Sequence, residues 1–189
     1  MYDQSFRTMK TIETERLILK AIEYYDAMEL FDILHDAQTV WWADLPIYST
    51  LRDVLDFIEW GNLSGDIIQY GLFERESDTL LGFLQVKLPQ CTGRSDAMEL
   101  GYVLSKDHRG QGYMPEAVNA VCEDIFRDGA IRRITLEILP DNGPSRSVAR
   151  KCGFSLVGQS EEERELRFLD DRPLDLFVRE NPAVSSAAA

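Results

Sequence analysis

Hydrophobic and polar residues form blocks that predict alternating strands and helices. A nearly continuous apolar run predicts a first strand over Arg16–Ile22. Apolar residues three and four apart then predict a helix from Asp26, with Glu29 completing a capping box. The same spacing predicts a second helix that begins at Thr50 and ends at Gly61. The chain therefore opens with one strand and two helices.

The rest of the chain predicts a central sheet. Three strands with a hairpin turn between the first two are predicted over Ile67–Glu74, Leu80–Leu88 and Met98–Leu104. A long amphipathic helix, a strand, a short helix and two last strands follow over Gly112–Asp128, Ile131–Leu139, Pro144–Cys152, Phe154–Gly158 and Leu174–Arg179. An antiparallel meander that leads into a β-α-β crossover indicates an α+β fold with one mixed sheet.

No repeat or low-complexity linker divides the 189 residues. Hydrophobic residues make up 44% of the chain, enough for a proper core, so global disorder is excluded. We expect an N-terminal extension over residues 1–12, a single domain over residues 13–180 and a disordered tail over residues 181–189.

Charge and composition narrow the class of partner. The chain carries 33 acidic and 20 basic residues, which gives a formal net charge of -13. This negative charge argues against nucleic acid and anionic membranes as partners. It favours a cationic partner such as an amine. No apolar run reaches the roughly 18 residues of a membrane span, and the polar N-terminus lacks the apolar core of a signal peptide. Three cysteines without CxxC spacing and two separated histidines predict a reduced, cytoplasmic protein without a metal.

A glycine-containing turn between the fourth predicted strand and the long helix is the most informative segment. Gly110 and Gly112 would let backbone N–H groups approach an anion, and the helix N-terminus adds unpaired donors and partial positive charge. Arg109 adds a permanent cation. The turn lacks the GK[ST] ending of a nucleotide P-loop, which makes a nucleotide-dependent transferase or kinase a weak alternative. By itself the turn is only suggestive of a phosphate site.

A second constellation follows the next strand and makes the pattern specific. Asn142 and Ser145 form N-x-x-S, and K-x-G-F ends at Phe154. Together with R-G-x-G-Y from Arg109 and T-E-R-L-I-L from Thr14, the chain resembles the GNAT superfamily of acyl-CoA-dependent N-acetyltransferases. Within it, the chain is most similar to the bacterial ribosomal-protein N-terminal alanine and serine acetyltransferases.

The resemblance implies a fold and a co-substrate. It implies the GNAT fold, with a mostly antiparallel sheet splayed between its fourth and fifth strands and about four flanking helices. Acetyl-CoA would be the co-substrate, with its pantetheine arm in the splay and its pyrophosphate on the glycine turn. The cofactor-binding residues implied by motif position are Tyr102, Val103, Leu104, Arg109, Gly110, Gln111, Gly112, Tyr113, Met114, Asn142 and Ser145. Met114 replaces a small residue of the usual motif, and Pro115 removes one N–H donor.

Two residues are candidates for proton transfer. Glu99, on the fourth strand, is the candidate general base; the alternative is a solvent-facing ion pair. By the resemblance, Ser145 could protonate the departing thiolate; the alternative is a first-turn serine bonded to backbone. Asn142 likewise has the alternative of a helix cap. A cysteine nucleophile is not expected, because no His neighbours Cys122 or Cys152 in sequence.

No motif in the sequence names the amine that accepts the acetyl group. Trp41, Trp42 and Tyr48 are predicted walls of an acceptor pocket, although such aromatic residues are more often packing. The expected reaction is direct transfer of acetyl from acetyl-CoA to a primary amine of a small molecule or a protein N-terminus. The alternative is a GNAT-fold sensor that binds acyl-CoA without turnover. Homodimers are common among similar proteins, and the sequence leaves the oligomeric state open.

Overall fold

The computed structural model describes residues 9–160 and 173–185 and shows one eight-stranded mixed sheet flanked by helices. The strands are Ile12–Glu13 (β1), Leu17–Lys20 (β2), Ile67–Glu74 (β3), Leu80–Lys87 (β4), Ala97–Leu104 (β5), Arg133–Ile138 (β6), Ser155–Gln159 (β7) and Asp175–Glu180 (β8). The helices are Ala27–Leu34 (α1), Ala37–Trp42 (α2), Leu51–Leu63 (α3), Pro89–Thr92 (α4), Tyr113–Phe126 (α5), Gly143–Lys151 (α6) and Pro182–Ser185 (α7). The spatial strand order is β1-β2-β3-β4-β5-β6-β8-β7.

The pairing of β5 with β6 is the feature that positions the site. All other neighbouring strands are antiparallel, whereas these two are parallel and joined by the crossover helix α5. They pair only from Ala97 opposite Arg133 to Leu100 opposite Leu136. Beyond Leu100, β5 stays paired with β4 through Leu104 but no longer with β6. The predicted fold and its splay are confirmed, the fourth and fifth predicted strands being β5 and β6.

Two hydrophobic clusters cover the two faces of the sheet. On one face, α5 and the end of α6 pack through Val118, Val121 and Ala149 onto strand residues such as Leu100. On the other, α1 and α3 pack through Leu30 and Ile58 onto β3, β4 and the end of β5, where Val103 is buried. Met98 and Leu100 of β5 belong to the first cluster and Val103 to the second, on opposite faces of the strand as its period requires. The end of β5 is thus held from both sides.

Several local predictions at the start of the chain are wrong. The first strand, β2, is shorter than predicted and pairs with β1, whose first residue, Ile12, is the last residue of the predicted N-terminal extension. Residues 1–8 of that extension lie outside the described part. Glu29 does not form the capping box: its carboxylate accepts from the N–H of Leu80, and the box joins Glu23 to Asp26 one turn earlier. The predicted start of the second helix at Thr50 is confirmed, and Thr50 forms a capping box with Asp53.

Gly61 does not end α3, which continues to Leu63. Packing explains the glycine, since a Cβ at Gly61 would lie 2.4 Å from the side-chain Nε2 of Gln69 on β3. The glycine serves close approach of the helix to the sheet.

The first residues of the predicted tail, 181–185, belong to the described part of the chain. Asn181 is almost fully buried, and its side-chain amide donates to the carbonyls of Phe126 and Ile131. The short helix α7 follows. Asn181 is thus packed against the domain and residues 182–185 are helical, while residues 186–189 of the predicted tail lie outside the described residues.

Candidate active site

A cleft of about 590 Å³ opens where β5 and β6 part. The last residues of β5, Tyr102, Val103 and Leu104, form one wall, and α2, the first turn of α5 and α6 form the others. Because this part of β5 has no pairing with β6, one edge of its backbone faces the gap. All three β5 residues that were predicted to bind the co-substrate thus line the cleft. The volume of the cleft is in the range of small-molecule sites.

The glycine turn sits at one end of the cleft. Gly110 and Gly112 have φ values of 78° and 86°, which side-chain-bearing residues rarely adopt, and both line the cleft with Met114. Gly112 is the N-cap of α5, so the N–H groups of Tyr113 and Met114 lie in the first turn, where no intrahelical acceptor exists. Pro115 lacks an N–H. The turn thus presents a small set of backbone donors and the positive end of a fourteen-residue helix.

Two residues of the predicted phosphate turn point their side chains elsewhere. The Gln111 amide donates to the carbonyl of Asp107 at 3.3 Å, and the Tyr113 hydroxyl donates to the Glu74 carboxylate at 2.7 Å from within the core. Neither residue is among those that line the cleft. If they contact a ligand here, they do so through the backbone alone.

Arg109 lines the cleft but is already engaged by the protein. Its Nε donates to the carbonyl of Leu104 at 3.3 Å, and its Nη2 donates to the hydroxyl of Thr39 at 2.7 Å. Thr39 in turn donates to the carboxylate of Asp36, the N-cap of α2. Arg109 therefore joins the end of β5 to α2 and brings its positive charge to the cleft at the same time.

The start of α6 brings the second constellation to the cleft. The Asn142 side chain accepts from the N–H of Ser145 at 3.1 Å, as a helix cap does, and its Nδ2 donates to the carbonyl of Trp42 at 3.5 Å. Asn142 is buried, Ser145 is half-buried, and both line the cleft. The cap interpretation of Asn142 is confirmed, and it does not remove the residue from the cleft.

The charge around the cleft is opposite in sign to that of the whole chain. Arg109 and Lys151 line it, and the last turn of α6 holds Arg150 beside Lys151. An anionic ligand would meet these cations although the chain carries a net charge of -13.

The buried thiols are unsuited to attack. Burial raises the pKa of Cys122 to about 12 and that of Cys152 to about 11, so both are protonated at neutral pH. The Cys152 thiol donates to the carbonyl of Pro115 at 3.5 Å and so joins α6 to the first turn of α5. The expectation against a thiol nucleophile agrees with these surroundings.

Glu99 does not line the cleft. Its carboxylate lies 2.9 Å from the Lys87 ammonium on β4, so the ion pair of the alternative interpretation is present. The pair is not solvent-facing on the Glu99 side, where only 12% of the side chain is exposed. Glu99 instead lines a second pocket of about 270 Å³ with Thr135 and Glu137 of β6. It occupies the second-last paired position before β5 and β6 part.

The predicted aromatic pocket is only partly assembled. Trp42 lines the cleft, whereas Trp41 does not. Tyr48 packs edge-to-face on Phe57, at 5.4 Å between ring centroids, and burial raises its pKa to about 12. Tyr48 belongs to the margin of the α1–α3 core. The three residues do not form one wall.

Helix α2 contributes cleft residues that the hydrophobic pattern did not reveal. Gln38, Thr39 and Ala43 line the cleft beside Trp42. A signal existed in Asp36, whose side chain accepts from the N–H of Thr39 as an N-cap. The six residues of α2 are too few to show a helical period.

Comparison with known proteins agrees with this geometry. Residues 16–155 match the family model described as the acetyltransferase (GNAT) domain. The chain belongs to the GNAT acetyltransferase family. A curated relative, the uncharacterized N-acetyltransferase p20 of Bacillus licheniformis, is 28% identical over 178 residues, which cover 91% of this chain and 98% of the relative. The ribosomal-protein-serine acetyltransferase of Escherichia coli is 34% identical over 83 residues, 43% of this chain and 45% of that protein.

A solved structure shows the same fold. RimL, a ribosomal L7/L12 α-N-protein acetyltransferase in complex with coenzyme A, superposes with a TM-score of 0.77 at 22% identity, over 92% of this chain and 99% of that chain. The predicted family, fold and enzyme class, and acetyl-CoA as co-substrate, are confirmed. Among residues 9–160 and 173–185, no three His, Cys, Asp or Glu side chains are grouped as metal ligands. Within the same residues, no helix has the length and apolarity of a membrane span.

Proposed function

We propose that this GNAT enzyme transfers acetyl from acetyl-CoA to a primary amine, of a small molecule or a protein N-terminus, in the cytoplasm. The observation that carries the proposal is the position of the cleft, which has backbone donors of the glycine turn at one end and the gap between β5 and β6 beside it. An anion held at the turn would direct an extended arm along the unpaired edge of β5.

The residues present fit the diphosphate of the co-substrate. The N–H groups of Gly112, Tyr113 and Met114 would hold its oxygens, supported by the helix dipole. Arg109 and Lys151 would supply the charge. Asn142 and Ser145 face the same space from α6. When bound, acetyl-CoA supplies an acetyl group activated as a thioester.

The edge of β5 would orient the acetyl group. From Gly101 to Leu104 the backbone faces the gap without a partner strand in β6. An N–H near Val103 or Leu104 would stabilise negative charge on the acetyl oxygen during attack, as oxyanion donors do in other acyl transfers. The arrangement favours direct attack by the amine.

Glu99 would take the proton from the amine. A protein N-terminal amine has a pKa near 8 and a lysine near 10.4, so a base assists at neutral pH. Glu99 and Gly101 are on the same face of β5, about 7 Å apart along the strand. A Cβ at Gly101 would have nothing within 4 Å, so the face of β5 next to Glu99 is open at this position. One water would complete the path.

Ser145 would serve the leaving group. It lies in the first turn of α6 and lines the cleft, with its N–H committed to Asn142. Its hydroxyl would protonate the CoA thiolate as the thiolate leaves the acetyl group.

A panel of amines tests the proposal. Peptides with N-terminal serine or alanine, aminoglycosides and polyamines are each incubated with the enzyme and acetyl-CoA, and released CoA is measured with a thiol reagent. We expect at least one amine to release CoA well above the rate without an acceptor. If no amine in the panel releases CoA although calorimetry shows that acetyl-CoA binds, the result would instead support a sensor that binds acyl-CoA without turnover. Competition by ATP for the same site would support the nucleotide-dependent alternative.

A further inference from the structure

One side chain outside the cleft contacts the glycine turn on both sides of Gly112. Arg16, just before β2, donates from Nη1 to the carbonyl of Gln111 at 2.9 Å. Its guanidinium carbon lies 4.5 Å from the centroid of the Tyr113 ring. Its Nε and Nη2 lie 2.8 Å and 2.7 Å from the Glu116 carboxylate in the first turn of α5. Arg16 is not among the residues that line the cleft.

The Glu116 carboxylate holds this arginine in place. It accepts from the Thr14 hydroxyl at 2.6 Å and from the Arg16 backbone N–H at 2.9 Å, in addition to the guanidinium. These groups come from positions about 100 residues apart in the chain. Because Glu116 neutralises Arg16, the arginine contributes little net charge to the cleft. An effect of Arg16 on ligand binding must therefore come from the way it orients the backbone of the glycine turn.

The geometry acts on the peptide unit between Gln111 and Gly112. In a trans peptide the carbonyl and the next N–H point in opposite directions. The bond from Arg16 fixes the Gln111 carbonyl toward β2, so the Gly112 N–H points away from Arg16. Gly112 itself lines the cleft, and within the described residues its N–H donates to no other group.

We propose that Arg16 is a positioning residue, which aims the Gly112 N–H at the diphosphate by holding the Gln111 carbonyl. The inference rests on the proposed function. Without Arg16, the peptide can rotate about ψ of Gln111 and φ of Gly112, and the φ of a glycine has wide conformational freedom. The diphosphate then loses one oriented donor, whereas the pantetheine arm loses nothing.

The test compares ligands that do and do not carry a diphosphate. Dissociation constants of CoA, 3′-dephospho-CoA and pantetheine are measured by calorimetry or competition for the wild type and Arg16→Met. We expect Arg16→Met to weaken CoA and dephospho-CoA about tenfold, the effect of one hydrogen bond to a charged group, and to leave pantetheine unchanged. Equal weakening of all three ligands, or unchanged CoA affinity in a folded variant, would overturn the inference.

Arg75→Met is the matched control. Arg75 has the same exposure, 40% against 41% for Arg16, and its guanidinium binds Glu13 and the Thr14 carbonyl without touching the turn. We expect it to leave all three affinities unchanged. Arg16→Lys is the second variant, because it keeps the charge beside Glu116 but cannot span Glu116 and Gln111 together. It should also weaken CoA and dephospho-CoA only, and wild-type affinity in Arg16→Lys would show that charge alone suffices.

The outcome separates this inference from the proposed function. A wild type that binds no CoA contradicts the proposed function. A wild type that binds CoA, with Arg16→Met binding it equally well, contradicts only the role of Arg16.

Discussion

The hydroxyl of Tyr102 on β5 donates a hydrogen bond to the backbone carbonyl of Ser145 on α6, 3.3 Å away. Both residues line the cleft, so this bond joins the two walls between which the strands part. Burial raises the pKa of Tyr102 above its ordinary value of 10.0, and the phenol remains a donor at neutral pH. The gap beside β5 is therefore held open by a fixed contact as well as by the end of strand pairing.

Tyr102→Phe removes this bond with little change of volume. We expect the free energy of unfolding to fall by about 1 kcal/mol and CoA to bind more weakly, because α6 is less firmly placed. Denaturant unfolding and calorimetry measure the two effects. Tyr70→Phe, in a buried tyrosine of the same core, controls for loss of a phenolic hydroxyl. Identical CoA affinity in Tyr102→Phe and the wild type would show that the bond does not shape the cleft.

Gly112→Asp places a side chain and a negative charge at the N-cap of α5. The residue has φ of 86°, so the variant also carries backbone strain. We expect CoA affinity to fall at least about tenfold. Gly129→Asp is the matched control, because Gly129 has φ of 71°, lies past the other end of α5 and has open space around a Cβ. If both variants lose the same CoA affinity, strain and net charge explain the loss, and the turn is not the anion site.

We expect the free energy of unfolding to fall in acid because the Glu116 carboxylate becomes protonated. Burial alone would raise its pKa, but hydrogen bonds from Thr14 and Arg16 together hold the pKa below its ordinary value of 4.5. A depressed pKa stabilises the fold at pH values above that ordinary value, and the stabilisation is lost as pH falls through the lower pKa of the folded state. Denaturant unfolding across this acid range should show the loss in the wild type.

Glu116→Gln should lower the free energy of unfolding by about 2 kcal/mol at neutral pH and remove this part of the acid dependence. Glu123→Gln, at an exposed position of the same helix, should do neither. An acid profile that is the same in Glu116→Gln and the wild type would contradict the assignment.

Glu99→Gln tests the proposed base. General-base catalysis contributes about a hundredfold or more, and it matters most where the acceptor amine is protonated. We expect turnover to fall most below the pKa of the amine and to recover toward the wild-type rate above it, with CoA affinity unchanged. A loss that is equal at all pH values would remove Glu99 from proton transfer. Lys87→Met, which removes the ion-pair partner but keeps the carboxylate, shows how much of any effect is structural.

Strands and helices with a long apolar period were predictable from the sequence. The residues of the site were predictable where they belong to a motif. The strands from Ile67 to Leu104 and the helix after Gly112 lie within a residue or two of their predicted bounds. Their apolar periods are long enough to leave one interpretation. The glycine turn and Asn142 were found because their residue types are tied to a backbone conformation or a cap.

The remaining features depend on contacts between distant parts of the chain. A glycine such as Gly61 is typical of a helix end, and only the side chain of Gln69 beneath it explains why a glycine lies within the helix. Arg16 and Glu116 are 100 residues apart, and no local period indicates that they meet. The predicted pocket of Trp41, Trp42 and Tyr48 assumed that neighbours in sequence share a wall, whereas of these three only Trp42 lines the cleft.

The most direct test of the account is a crystal structure of this enzyme with acetyl-CoA. The account predicts the diphosphate against the backbone N–H groups of Gly112 to Met114, and the acetyl group beside β5 where it has parted from β6. Density for the diphosphate away from this turn, or β5 and β6 paired along their full length in the complex, would contradict it.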